Sequence, residues 1–288
     1  MKNLLIMDFN NLLLRYSEIH SGMKFHDKNT GGVFGFLTQL CYQINLYKPD
    51  IIIVCSDKKP YKRTKIFPDY KKKDKPYDEE LGAFIRESTP YCEQLLNILH
   101  IPLWKIEGYE YDDLAAILVH KNRYKMENIT LVSNDEDLFA LLNTNVSVHR
   151  SKGLYTLDDF KKEYEIHPSE WSEVEAMCGT HNNIPNLYKG LGKKTALKIY
   201  KNREKMKEIV EKYSEQYLLN LSLILLPIDF NVNLKLENRT PFLITPIENF
   251  LIHNFGISIT KSMSDAFYHL NEVALFCSKS GVEESICY

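Results

Sequence analysis

The feature that most restricts how this chain can fold occurs three times: a short run of apolar residues that leads within a few positions to an aspartate. Residues 4–7 lead to Asp8, residues 51–55 to Asp57 and residues 129–132 to Asp135. Runs rich in Ile, Leu and Val with no polar alternation suit strands covered on both faces, as in a parallel sheet. Residues 33–47, 79–99 and 112–124 read as helices between them. Strand and helix alternate, so the expected class is α/β, a mostly parallel central sheet flanked by helices. In such sheets the connections leaving the carboxyl ends of the strands line the ligand crevice. Three separate strands are therefore expected to bring one carboxylate each to a single edge.

Beyond about residue 165 the pattern turns helical, over 169–178, 194–200 and on to 212, around a Gly190-Leu191-Gly192 turn. With 288 residues, 44% of them hydrophobic, the chain suffices for one core with a lobe. The expected division is a core over residues 1–165 and a helical region over 166–288, the part beyond 233 giving only mixed short elements. The apolar stretch 218–227 is broken by Asn220 and Ser222 and is too short to span a membrane. Met1-Lys2-Asn3 begins nothing like a secretory signal, so the expected location is cytoplasmic. Six cysteines without a Cys-x-x-Cys pair argue against a zinc site or a disulfide framework.

Further acids cluster near the first three. Glu110, Asp112 and Asp113 stand at a helix start, and Asp135, Glu136 and Asp137 follow the third apolar run. A single such acid is most often a helix cap or a solvated loop residue. Seven of them converging (Asp8, Asp57, Glu110, Asp112, Asp113, Asp135 and Asp137) would repel one another strongly unless a cation were bound. Hard carboxylate oxygens match magnesium, which neutralises a phosphate and acidifies water.

The net charge of −2 conceals two basic stretches. Residues 58–75 hold nine Lys/Arg against two Asp, and residues 189–207 hold eight Lys/Arg against one Glu. The first mixes Lys58, Lys59, Lys62, Arg63, Lys71, Lys72 and Lys73 with Tyr61, Phe67 and Tyr70, a blend that grips a nucleic-acid backbone and stacks a base. In the second, Gly190-Leu191-Gly192-Lys193-Lys194-Thr195-Ala196 is a glycine turn opening a helix, which aims backbone N–H groups and lysines at an anion.

These stretches, with Met7-Asp8-Phe9-Asn10-Asn11, Phe67-Pro68-Asp69-Tyr70-Lys71, Glu110-Tyr111-Asp112-Asp113, Ser133-Asn134-Asp135-Glu136-Asp137 and Asn183-Ile184-Pro185, are similar in kind and order to one family. The chain resembles the 5′ nucleases that include phage flap endonucleases and the 5′ nuclease domain of bacterial DNA polymerases, over roughly residues 3–232. The resemblance implies a PIN-like nuclease core in which Asp8, Asp57, Glu110, Asp112 and Asp113 hold the metal nearest the scissile phosphate. Asp135 and Asp137 would begin a second metal site. It further implies that Lys71 and Arg63 contact the reacting phosphate, that Tyr70 stacks on a base beside Lys72 and Lys73, and that residues 58–99 form an arch. Gly190, Gly192, Lys193, Lys194 and Thr195 would belong to a helix-three-turn-helix over about 169–212 that grips duplex DNA, with K+ on its loop carbonyls. The implied cofactor is Mg2+, with Mn2+ substituting. The implied partner is DNA with a 5′ end, a flap or a single-strand/duplex junction, an RNA primer on DNA being a further substrate, and nothing demands more than a monomer. Such a chain suits replication or a specialised task in a virus or mobile element.

The sequence departs from the family where two further aspartates usually precede Asn-Ile-Pro. Thr180 and Asn182 stand there, which is expected to weaken the second metal site. An arginine usual after the Tyr-Lys pair is also missing, with Lys73 and Lys75 as stand-ins. The main alternative is a catalytically weak DNA-binding protein on the same fold. A haloacid-dehalogenase-like phosphatase is disfavoured, since Asn10 occupies the place of its second aspartate.

Overall fold

The computed structural model describes residues 2–72, 78–236 and 239–279, with side chains as far as residue 276. Its strands are β1 (Asn3–Asp8), β2 (Lys24–Phe25), β3 (Lys28–Asn29), β4 (Ile51–Ser56), β5 (Leu103–Lys105), β6 (Asn128–Val132), β7 (Val146–Arg150) and β8 (Gly153–Tyr155). The helices through the first half are α1 (Phe9–Ile19), α2 (Gly31–Tyr47), α3 (Arg63–Ile66), α4 (Glu79–Ile98), α5 (Tyr111–Asn122) and α6 (Leu157–Tyr164). They continue with α7 (Trp171–Cys178), α8 (Lys193–Lys201), α9 (Arg203–Lys212), α10 (Ser214–Ile224), α11 (Ile244–Phe255) and α12 (Lys261–Lys279). A 3-10 turn over Asp137–Leu141 follows β6.

Six strands make one sheet in the order β5-β4-β1-β6-β7-β8, parallel except for the last pair, and β2 with β3 forms a separate hairpin. The three apolar runs read from the sequence are β4, β1 and β6, and they lie side by side at its centre. Period-two alternation divides their side chains between two cores. Leu5, Met7, Ile52 and Val54 pack with α1, α2 and α4, while Leu4, Ile6, Ile53, Ile129 and Leu131 pack with α5 and α6. Both faces are thus covered, which is why these strands carry no polar alternation.

A third cluster joins α7, α8 and α10 through Val174, Met177, Ala196, Ile199, Tyr217 and Leu223, and it takes in Tyr61 and Tyr70 from the first basic stretch. The tail beyond 233, which the sequence left as mixed short elements, forms α11 and α12. Ile247, Phe250 and Leu251, then Met263, Ala266, Phe267 and Leu270, fall at three- and four-residue spacing and enter the same core as Leu5 and Met7. Among the described residues no helix is long and apolar enough to cross a membrane.

Candidate active site

β1 is the switch point of the sheet, since the chain leaves it for β4 on one side and later returns to β6 on the other. Neighbouring strands lie about 4.8 Å apart. Register sets Met7 opposite both Val54 and Val132, so the chain beyond all three strands opens on one crevice. Asp8, Asp57, Asp112 and Asp135 line one cavity of about 960 Å³ there, together with Asn10, Asn11, Tyr61, Lys71, Lys72, His181 and Asn182. An adjoining cavity of about 720 Å³ shares Asn11, Asp135 and His181 and adds Glu136, Asp137, Arg150, Glu175, Thr180 and Lys193.

Each acid of the first cavity is held by local structure. Asp8 caps α1, accepting the Asn11 N–H at 3.0 Å and the Ser133 hydroxyl at 3.1 Å. Burial, reinforced by Asp57 and Asp135, nevertheless pushes its pKa up to about 7. Asp57 accepts the Tyr111 N–H at 2.8 Å. Asp112 is driven well above the usual carboxylate range by burial first and by Asp135 next. Carboxylates that resist ionisation beside one another are the electrostatic setting in which a hard divalent cation binds and displaces protons. Among the described residues, no three His, Cys, Asp or Glu side chains are already gathered into a closed metal cage. The donor set, all oxygen and mostly anionic, fits magnesium or manganese better than a soft metal.

Lys71 reaches this cavity from the basic loop. Its Nζ bonds Glu110 Oε2 and lies 3.6 Å from Asp57 Oδ2. Burial opposes its charge, but Glu110 and Asp57 prevail and raise its pKa. The loop is fastened from the helical region. The Lys71 N–H donates to Asn182 O at 3.0 Å, and the Asn183 side-chain amide donates to Asp69 O at 3.0 Å and to Lys72 O.

Of the seven metal-ligand candidates, Glu110 and Asp113 do not line either cavity. They lie beneath, with Arg63, and three expectations change as a result. Arg63 donates from Nε to Leu223 O at 2.6 Å, from Nη1 to Asp113 at 2.6 Å and Glu110 at 3.2 Å, and from Nη2 to Asp113 at 2.8 Å and Leu225 O at 3.3 Å. All five of its N–H groups are thus engaged, and the side chain is 3% exposed, so Arg63 is a buried strut and not a phosphate contact. Asp113 also accepts the Glu110 N–H at 3.2 Å and the Ile228 N–H at 2.8 Å, leaving it no outward lone pair for a metal. Tyr70 is buried, donates to Glu110 at 3.3 Å and meets Tyr61 edge to face, so its ring is not offered to a base. Tyr61 is the aromatic side chain of this loop that lines the cavity.

In the second cavity Asp135 and Asp137 meet a residue the sequence reading missed. Glu175, on α7, is 2% exposed, and its Oε2 has no hydrogen-bond partner. Burial and then Asp137 push its pKa well up. The signal was present: Trp171, Val174 and Cys178 mark an apolar helical stripe, and Glu175 is the acid at its i+4 position. Lys193 turns inward to Glu136 at 2.8 Å and Glu175 at 3.6 Å, over the Trp171 ring, so its ammonium is tied into this cavity while 38% of the side chain stays exposed. Thr180 lines this cavity, whereas Asn182 lines the first; the two positions are split between sites. Gly179 lets the chain turn there: its φ is +70°, and a Cβ would lie 2.3 Å from Ile184 O.

Gly190, at φ +87°, leads to the start of α8, where Gly192, Lys194 and Thr195 are exposed outside both cavities. Lys73 and Lys75 lie outside the described residues.

Comparison with known proteins agrees with this geometry. Residues 3–165 match the family described as 5′-3′ exonuclease, N-terminal resolvase-like domain. The chain is 31% identical to a 5′-3′ exonuclease of Bacillus subtilis over 73% of its own length and 74% of the relative's. It is 28% identical to DNA polymerase I of Caldicellulosiruptor bescii over 82% of its own length, but spans only 30% of that polymerase. The fold superposes on T5 5′-exonuclease with bound divalent zinc at a TM-score of 0.65, with 20% identity, covering 95% of this chain and all of the other. The chain therefore belongs to the 5′-3′ exonuclease family with the N-terminal resolvase-like domain.

Proposed function

We propose that this protein is a divalent-metal-dependent 5′ nuclease that hydrolyses DNA phosphodiester bonds at 5′ ends or flaps. The observation that carries this reading is the single cavity at the sheet's switch point, where Asp8, Asp57, Asp112 and Asp135 converge on the side reached by Lys71. Asp8, Asp57 and Asp112 would hold Mg2+ or Mn2+, which when bound supplies positive charge against the phosphate and acidifies water.

The chain's own groups do the rest. Lys71 presents an ammonium beside the acids, where negative charge builds on the phosphate during cleavage, and Glu110 fixes its position. Arg63 and Asp113 hold the floor beneath, so that α5 keeps Asp112 at the cavity wall. Exposed Gly190, Gly192, Lys194 and Thr195 at the start of α8 receive a backbone phosphate of duplex DNA, and Lys72 one nearer the cavity. K+ on loop carbonyls would suit the turn before α8. With Thr180 offering the smaller cavity only a neutral oxygen and Asn182 lining the larger one, Asp135 and Asp137 alone would make a weaker second cation site. A cytoplasmic monomer acting on DNA flaps, or on RNA primers paired to DNA, fits this reading.

The test is cleavage of an end-labelled 5′-flap duplex at low salt, titrated with Mg2+ and Mn2+. Metal-dependent cleavage that disappears in Asp112→Ala is the expected result. Tight flap binding with no cleavage in either metal would make the protein a DNA-holding relative of a nuclease instead.

A further inference from the structure

We propose that Glu175 supplies a third carboxylate, with Asp135 and Asp137, to a second divalent-cation site in the smaller cavity, adding charge that the neutral Thr180 there does not bring. The proposal rests on the metal-nuclease reading above and adds a ligand to it from an element, α7, that carries none of the expected acids.

Two observations argue for it, the first independent of the acidic cluster and the second the charge balance of the cluster. The Glu175 side chain lines the cavity and is 2% exposed, yet its Oε2 makes no hydrogen bond. A buried carboxylate oxygen without a partner is costly, and this helix position lies on an apolar stripe where a leucine or methionine would pack at no such cost. The second observation is a charge imbalance. Glu136 engages Arg150 with one oxygen at 3.0 Å and Lys193 with the other at 2.8 Å. Lys193 reaches Glu175 only at 3.6 Å and only on Oε1. Among the described residues the ion pairs of this cavity go to Glu136 and Glu175, and none to Asp135 or Asp137. One shared lysine therefore leaves three carboxylates facing a cavity with negative charge in excess. A hard divalent cation answers both features, because its affinity rises with the number of anionic oxygens around it.

The experiment is Mn2+ binding to the full chain without DNA, followed by electron paramagnetic resonance and calorimetry at fixed ionic strength. Wild type is expected to bind two ions. Asp112→Asn should remove the ion of the larger cavity, and Glu175→Gln should weaken the other at least ~10-fold, the least that loss of even an outer partner costs a metal site. Glu175→Asp keeps the charge and should retain the second ion, which covers the case in which the glutamine variant folds poorly. Lys193→Met removes a competing cation and should tighten the second ion. A second ion unaffected by Glu175→Gln overturns the proposal. So does a wild type with one ion, lost in Asp112→Asn, in which Lys193→Met creates the second; the lysine would then be the resident cation and the nuclease reading would stand. A wild type binding no ion would sink the nuclease reading itself.

Discussion

The two cavities of the crevice follow one plan, carboxylates with an inward lysine, but their acids come from different sources. In the larger, Asp8 ends β1, Asp57 directly follows β4 and Asp135 stands three residues past β6, so the parallel sheet itself brings them together. In the smaller, Asp135 and Asp137 meet Glu175 only because α7 packs against the 3-10 turn after β6. The lysines differ likewise. Lys71 approaches on a loop bonded to Asn182 and Asn183, whereas Lys193 arrives on the first turn of a helix. A site assembled by a sheet can be found by counting from strand ends. One assembled by helix packing cannot.

The largest effect that would break this contrast is in the first cavity. Asp112→Ala is expected to reduce flap cleavage to background while binding of the flap survives; residual metal-dependent cleavage would move the chemistry to the other cavity. Lys71→Ala should lower kcat by ~10²–10³-fold with a much smaller change in KM, the range seen when a donor to developing charge is lost. A change confined to KM would make Lys71 a simple DNA contact.

What lies beneath the cavities is tested by stability. Arg63→Ala leaves Asp113 buried with one partner gone and should cost about 3–5 kcal/mol in urea unfolding. If stability were unchanged and only kcat fell, Arg63 would be a phosphate contact after all. Next in size, Lys194→Ala should weaken duplex binding and reduce the slope of log K against log salt by about 1. Lys193→Ala should leave that slope nearly unchanged, because its ammonium is tied to Glu136.

The smallest effect concerns groups outside both carboxylate clusters. His120, His149 and His269 have lowered pKa values, burial being the main cause in each and Arg123, Arg15 and Lys48 adding to it respectively. Their folded values lie below the unfolded value of about 6.5. The unfolded chain therefore binds more protons there, and their contribution to stability is lost as pH falls through that value. Between pH 7.5 and 5.5 the wild type should lose more in Tm than a variant carrying His120→Gln, His149→Gln and His269→Gln. Equal losses would mean that the histidines are not perturbed.

Much of the site could be read in the sequence because its geometry is periodic. Apolar runs that end near Asp8, Asp57 and Asp135 specify buried parallel strands, and parallel strands share one carboxyl edge. The roles beneath that edge could not be read. Arg63 and Asp113 belong to the same motifs as Lys71 and Asp112, and spacing alone does not say which of two adjacent acids faces inward. The reading of Tyr70 failed for the same reason, since an aromatic within a basic loop can stack on DNA or pack under α7, and the third core decides for packing.

By itself, then, the sequence determined the sheet, its carboxylate edge and the family, because these follow from local period and from the order of short motifs. Only the tertiary structure decided that Arg63, Glu110 and Asp113 form a buried support, that Lys193 points inward and that Glu175 joins the second cavity. Each of those depends on how one element packs against another far along the chain, and such contacts leave no fixed spacing in the sequence to count.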